Sequence, residues 1–332
     1  MIGNPYTAAI DITNIQFGAN TEQTVYLYNT GTFASWFNYK SNLDSIGNST
    51  TSGQYTSIPK GVAGTGDIPG QIPAMQAFMV RTIGTSEGSI YVDYDAVKQK
   101  NTSMQRTKKS ELAWMRINLI GKTADHDVMW LFSKEGTTRN YDNGWDGRKL
   151  VGDAGTARIQ AVEGNSTFQI DVVPDINETV ISARAGNKDT NYKLTITSEN
   201  MLSEYSCIYL LDLKTNTIVD VSQSGTEYVF SMTNTSSEPR FKILTSAGIT
   251  TGNEDVNSDL FATVVDKKLI ISNNTTEYGN VAVYDLKGIE LVNQIYPKNQ
   301  KSVVDLKLQK GVYLYKLTNK DGKTLTNKMI LD

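Results

Sequence analysis

The chain has 332 residues, 39% of them hydrophobic and 20% charged, which suits a buried core and excludes wholesale disorder. Lys and Arg number 32 against 35 Asp and Glu, a formal charge of −3 that lacks the basic excess of a nucleic-acid binder. One histidine, His126, and one cysteine, Cys207, exclude a His/Cys zinc site within the chain and any intramolecular disulfide.

The length predicts about two domains, or three small modules. No stretch approaches the roughly 18 consecutive apolar residues of a membrane-spanning helix. The opening Met1-Ile2-Gly3-Asn4-Pro5-Tyr6 has neither a charged n-region nor an apolar h-region, so the chain is expected either to be cytoplasmic or to begin after its export signal. Cysteine usage leaves the compartment open.

Helical periodicity is nearly absent, and short β-branched and aromatic runs broken by Gly, Asn, Asp, Ser and Thr predict strands throughout. The first are Thr24–Tyr28, Phe33–Tyr39, Ala77–Ile83 and Ser89–Tyr94. Asn101–Ser110, polar and basic, reads as a linker or as a long loop within one domain. Leu112–Ile120 follows, with Met115, Ile117 and Leu119 on one face and Arg116 and Asn118 on the other, as a half-solvated sheet requires. Then come Asp127–Phe132, Thr167–Val173, Tyr192–Thr197, Ile208–Leu213 and Thr226–Met232. The small, polar stretch Ser246–Ser258 marks a domain boundary. Beyond it lie Leu269–Ser272, Val281–Leu286, Ser302–Leu308, Val312–Thr318 and Thr324–Leu331. Such a pattern predicts an all-β chain: a β-sandwich or jelly-roll body and a small C-terminal β-sandwich. The expected modules are 1–105, which merges with the next or stands alone, 106–246 and 256–332.

Several constellations invite a chemical reading. Gly84-Thr85-Ser86-Glu87-Gly88 has the spacing of a hydrolase nucleophile, but it sits between two strands, where the strand–turn–helix context fails and a hairpin turn is expected. Asp93 and Asp95 read as the polar face of an exposed strand rather than as a glycosidase pair. His126, between Asp125 and Asp127, is expected at a solvated strand edge. Asp142, Asn143 and Asp146 crowd oxygen ligands into a short loop, a calcium candidate that departs from the EF-hand spacing; the competing reading is a plain turn anchored by Trp145. Trp36 is the aromatic ring expected to be exposed on its strand, and Trp36 and Trp145 are the candidates for stacking on a ligand. No catalytic residue is assigned.

After Val256, three motifs follow in order. Val281-Ala282-Val283-Tyr284-Asp285-Leu286-Lys287-Gly288 is a strand entering a turn, and Leu308-Gln309-Lys310-Gly311-Val312-Tyr313-Leu314-Tyr315 is a turn feeding a strand. Asp321-Gly322 predicts a hairpin before the terminal Asn327-Lys328-Met329-Ile330-Leu331. This succession resembles the C-terminal sorting domain of the Bacteroidetes type IX secretion system. The resemblance implies an Ig-like fold for 256–332, a role in addressing a cargo through the outer membrane, and the secretion machinery as a partner. Its motif positions are Tyr284, Asp285, Gly288, Gly311, Tyr313, Lys328 and Ile330, with both glycines expected at turns of positive φ and the last strand as the candidate for recognition.

Gly3-Asn4-Pro5-Tyr6, Val25–Tyr28, Ile72–Val80, Ile208–Leu213 and Arg240–Ile243 resemble segments that recur in large surface proteins of the same phylum. There the Gly-Asn-Pro-Tyr element lies inside the chain, which implies an upstream export signal. The expectation is a non-catalytic extracellular or outer-membrane surface protein, without a transmembrane segment or nucleic-acid partner, that adheres to or binds a glycan or surface protein. The competing expectations are the accessory part of a carbohydrate-active enzyme and a structural stalk.

Overall fold

A computed structural model of the chain describes residues 1–29, 54–98, 112–122, 125–150, 155–247, 260–265, 267–273, 275–320, 322 and 324–331. Trp36 and the predicted strand Phe33–Tyr39 lie outside the described residues, as does Asn101–Ser110. The fold is all-β: among the described residues the only helical turns are 3-10 turns at Ile12–Asn14, Tyr94–Ala96 and Met201–Ser203. Two compact units form, Met1–Thr245 and Ser246–Asp332.

The first unit is built on an eleven-stranded sheet. Its path runs Thr217–Asp220, Tyr205–Asp212, Glu238–Ala247, Val180–Arg184, Arg158–Glu163, Ser166–Val173, His126–Ser133, Ala113–Gly121, Asn191–Glu199 and Thr226–Ser231, with Gly147–Arg148 added beside Ser166–Val173. His126–Ser133 and Ser166–Val173 pair in parallel. The sheet curls until its ends meet, and Tyr228 in the last strand donates its hydroxyl to Asp212 of the second at 2.8 Å. Met115, Ile117, Leu119, Met129, Leu131, Phe230 and Phe241 fill the interior.

The outer face of this sheet is covered as well. The first hundred residues supply a four-stranded sheet (Ile2–Gly3, Ala77–Met79, Thr24–Asn29, Gln54–Pro59), a three-stranded one (Gln71–Ile72, Ala9–Asp11, Val97–Lys98) and the pair Gln16–Phe17 with Ile90–Tyr91. Their Ile10, Val25, Ile58 and Phe78 pack on Trp114, Trp130, Phe132 and Ile170 from the curled sheet. The described residues of 1–98 and 112–172 therefore share a core.

This two-sided burial explains the run Val128-Met129-Trp130-Leu131-Phe132. A strand covered on both faces reads as continuously apolar rather than alternating. It also corrects the half-solvated reading of Ala113–Gly121: Trp114, on the supposedly wet face, is buried and donates its indole N–H to Glu199 at 3.2 Å. Trp130 likewise donates to Asp67 at 3.0 Å, and Asp67 also pairs with Arg116. The strand expected at Ser89–Tyr94 shortens to Ile90–Tyr91, because the Asp93 carboxylate accepts the Tyr94 N–H and opens a 3-10 turn.

The second unit is a two-sheet sandwich. Leu260–Val265, Lys268–Asn273 and Gln300–Asp305 form one sheet; Glu290–Tyr296, Gly279–Tyr284, Gly311–Asn319 and Thr324–Leu331 form the other. Leu269, Ile271, Val281, Val283, Tyr315, Leu317 and Met329 fill the space between them. Tyr315 donates its hydroxyl across the sandwich to the Ala262 carbonyl at 2.9 Å.

Candidate functional site

In the second unit the Val281–Gly288 motif is a structural hairpin. One carboxylate oxygen of Asp285 accepts the N–H groups of Lys287 and Ile289, each at 2.9 Å, while the Gly288 N–H reaches the Asp285 carbonyl at 3.0 Å. Gly288 takes φ +81°, a backbone region that disfavours a Cβ. Gly311 does not share that role. It begins the strand Gly311–Asn319 without a positive φ, and an added Cβ would stand 3.4 Å from the Tyr313 ring. Tyr313 donates its hydroxyl back to the Gln309 carbonyl at 2.9 Å, so this motif fixes how the chain enters its strand.

Tyr284, Leu314 and Lys328 lie in one row across three neighbouring strands, since Tyr284 pairs in register with Leu314 and Leu314 with Lys328. Val281 and Val283 point into the core, so alternation turns Tyr284 outward beside Leu314, with Lys328 exposed. Ile330 pairs in register with Val312 one row further on; only its backbone is described. Two motif residues far apart in sequence thus flank Leu314 on the outer sheet face. Thr324–Leu331 is an edge strand, and among the described residues no strand pairs with its outer side.

In the first unit, the loop proposed for calcium is a joint between the layers. Asp146, buried, accepts the Asp142 N–H at 2.7 Å and the Val172 N–H at 2.9 Å. Asp142 accepts the Thr138 N–H at 2.6 Å, and Asn143 accepts the Gln23 N–H at 2.7 Å. Chain N–H groups thus engage both carboxylate oxygens of Asp146, one of Asp142 and the amide oxygen of Asn143. Trp145 is half-buried and anchors this loop against the interlayer core: a Cβ on Gly61 would come within 2.6 Å of its ring, and Lys134 Nζ sits 4.7 Å from its centroid.

This joint concentrates buried acid. Burial pushes Asp146 up to about 7 despite its two N–H donors. Burial, reinforced by the charges of Asp146 and Glu163, drives Asp171 well above the carboxylate range, and burial raises Glu163 against the opposing Arg139. A carboxyl whose folded pKa exceeds its unfolded value stabilises most below the unfolded value and loses that contribution as pH rises through the folded one. The melting temperature of the protein is therefore expected to fall, by roughly 5 °C, between pH 5 and pH 8, and Asp171→Asn to flatten the slope in a differential scanning experiment. A slope unchanged in that variant would refute the assignment. Nearby, Lys149 and Asp127 form a buried ion pair at 2.5 Å, and burial holds the Lys149 ammonium below its usual range.

The remaining candidates stay apart. Gly84–Gly88 is an exposed turn with no helix after it. Asp93 caps its 3-10 turn and Asp95 is exposed within it, so the two do not alternate along a strand. His126 is exposed at the start of its strand. No described helix is long and apolar enough to cross a membrane.

Residues 1–244 match the family described as "Domain of unknown function (DUF8693)", and residues 265–332 match "Secretion system C-terminal sorting domain". The whole chain is 29% identical over 350 aligned residues to the "Minor fimbrium subunit Mfa5" of Porphyromonas gingivalis, and spans 27% of that protein's length. No solved structure matches the chain.

Proposed function

We propose a function for a chain that belongs, over residues 1–244, to the family described as a domain of unknown function (DUF8693) and carries a secretion system C-terminal sorting domain over residues 265–332. It is a Bacteroidetes protein of the cell surface or extracellular space, addressed by that terminal domain. Within that setting, the first unit is a non-catalytic adhesive or ligand-binding body, and the second is its passenger address, read by the type IX secretion machinery. The observation that carries the reading is the separation of the chain into two units with separate cores, one of them the sorting domain. Similarity to a fimbrium subunit supports adhesion. The machinery would read the outer row Tyr284–Leu314–Lys328 and the edge strand Thr324–Leu331, since the other motif residues are spent on turns.

The full chain is to be screened against a polysaccharide and matrix-protein array, with released sugar measured in parallel. Binding without turnover is the expected result. Released sugar would replace this reading with a carbohydrate-active enzyme, and silence in both assays would replace it with a structural stalk.

A further inference from the structure

At one end of the curled sheet, the loop between Val180–Arg184 and Asn191–Glu199 borders a groove of about 270 Å³. The loop is organised by a buried carboxylate from another part of the chain. Asp125 Oδ2 accepts the Asp189 N–H at 3.0 Å, the Lys188 N–H at 3.3 Å and the Tyr192 hydroxyl at 2.9 Å. In return Asp189 Oδ2 accepts the Asp125 N–H at 3.1 Å, and the Gly186 N–H donates to the Tyr192 hydroxyl at 2.9 Å. Two glycines make the fit achievable: a Cβ on Gly121 would stand 2.3 Å from Asp189 Oδ2, and one on Gly186 would stand 2.5 Å from Asp125. The groove wall is thus preorganised, which lowers the ordering cost of binding.

Its lining decides what fits. Lys122, Asn187, Lys188, Thr190, Asn191 and Thr233 are exposed around it, while Ala185 and Asp189 are buried in its floor. No aromatic or long aliphatic side chain lines it, so an apolar ligand would gain little from burial. Two exposed lysines, Lys122 and Lys188, line it, and the one acid in its lining, Asp189, has a carboxylate oxygen turned to the Asp125 N–H. Two asparagine amides and two threonine hydroxyls supply both donors and acceptors. The volume lies just below the roughly 300 Å³ at which drug-sized pockets begin.

We infer that this groove is a subsite for one acidic sugar unit, a pyranose bearing a carboxylate, as in a uronic-acid polysaccharide. The lysines hold the carboxylate and the amides and threonines hold the ring hydroxyls. The inference rests on the ligand-binding reading of the first unit and gives that reading a substrate class and a place.

The test is isothermal titration of the full chain with trigalacturonate, with neutral galactotriose and sodium sulfate as comparisons. Trigalacturonate is expected to bind in the millimolar range, about −4 kcal/mol, with weakening as salt rises. Lys122→Ala/Lys188→Ala is expected to lose at least tenfold in affinity, and Asn187→Ala several-fold, with the melting temperature unchanged because these side chains are exposed. Equal binding of galactotriose, or competition by sulfate at equal concentration, would overturn the acidic-sugar assignment. Unchanged affinity in the double variant would overturn the location. If trigalacturonate is silent while the polysaccharide array still shows binding, the groove is wrong and the surface-binding reading stands; silence in both removes both.

Discussion

Truncation after Thr245 is expected to abolish appearance of the protein at the cell surface and in the culture fluid, leaving a folded body behind in the cell. The body keeps both of its cores, the interior of the curled sheet and the layer beneath the first hundred residues, and neither draws on the terminal unit. The terminal unit has a core of its own, so it can be destroyed selectively. Leu317 is fully buried in it, and Leu317→Asp places a charge where no partner waits, a change that unfolds small domains. That variant is expected to match the truncation. Lys328→Ala, at an exposed position, leaves the fold intact and isolates recognition from stability. Fractionation with peptide mass spectrometry in the native host reads all three. Body peptides at the surface from the truncated chain would refute the address. In the intact protein, body peptides at the surface without those beyond Val256 would show that the domain is removed after use.

The second large effect is expected where the curled sheet closes. Asp212 is buried and holds four partners: the Arg240 guanidinium and the Tyr228 hydroxyl, each at 2.8 Å, and the N–H groups of Lys214 and Thr215. Arg240 lies against Phe230 and Phe241, whose rings meet edge-on at 5.1 Å. Arg240→Met removes the guanidinium paired with Asp212 and strands a carboxylate, at a cost of about 3–5 kcal/mol. For a unit of this size that is a drop of roughly 10 °C in melting temperature. Adding Asp212→Asn removes the stranded charge, so the double variant is expected to recover much of the loss. Additive losses would show that packing on the rings, not the ion pair, carries the closure. Burial works against the Asp212 carboxylate, yet the hydrogen bonds of Tyr228 and Arg240 hold it below its usual range. Its contribution is therefore present above the unfolded carboxylate range near 4 and lost in acid, whereas Asp146 and Asp171 cost stability at the neutral end. Stability is expected to peak between those limits.

The terminal motifs were legible because they are local. Asp285 bonds within four residues of itself, Gly288 needs its φ for one turn, and Tyr313 reaches back to Gln309. A signal that short survives in the linear sequence. Gly311 differs from that expectation: a glycine before a strand suggests positive φ, but here it already has the backbone of the strand it begins. Strand Glu290–Tyr296 carries little sequence signal because it lies at a sheet edge, where Leu291 and Ile295 are exposed and no face is clearly polar. That Trp145 anchors its loop was legible locally, but its packing partner Gly61, distant in the chain, was not.

By itself, then, the sequence determined the all-β class and the terminal domain with its Asp285–Gly288 turn, since these follow from residue type and short-range spacing. Only the tertiary structure decided that the long sheet curls on itself, that the first hundred residues cover its outer face, and that Asp125 organises a groove with Lys188 and Asp189. Each of these depends on partners more than sixty residues apart or on burial of both faces of one strand. Alternation fixes which way a side chain points from its strand, but what it meets there is set by the path of the rest of the chain.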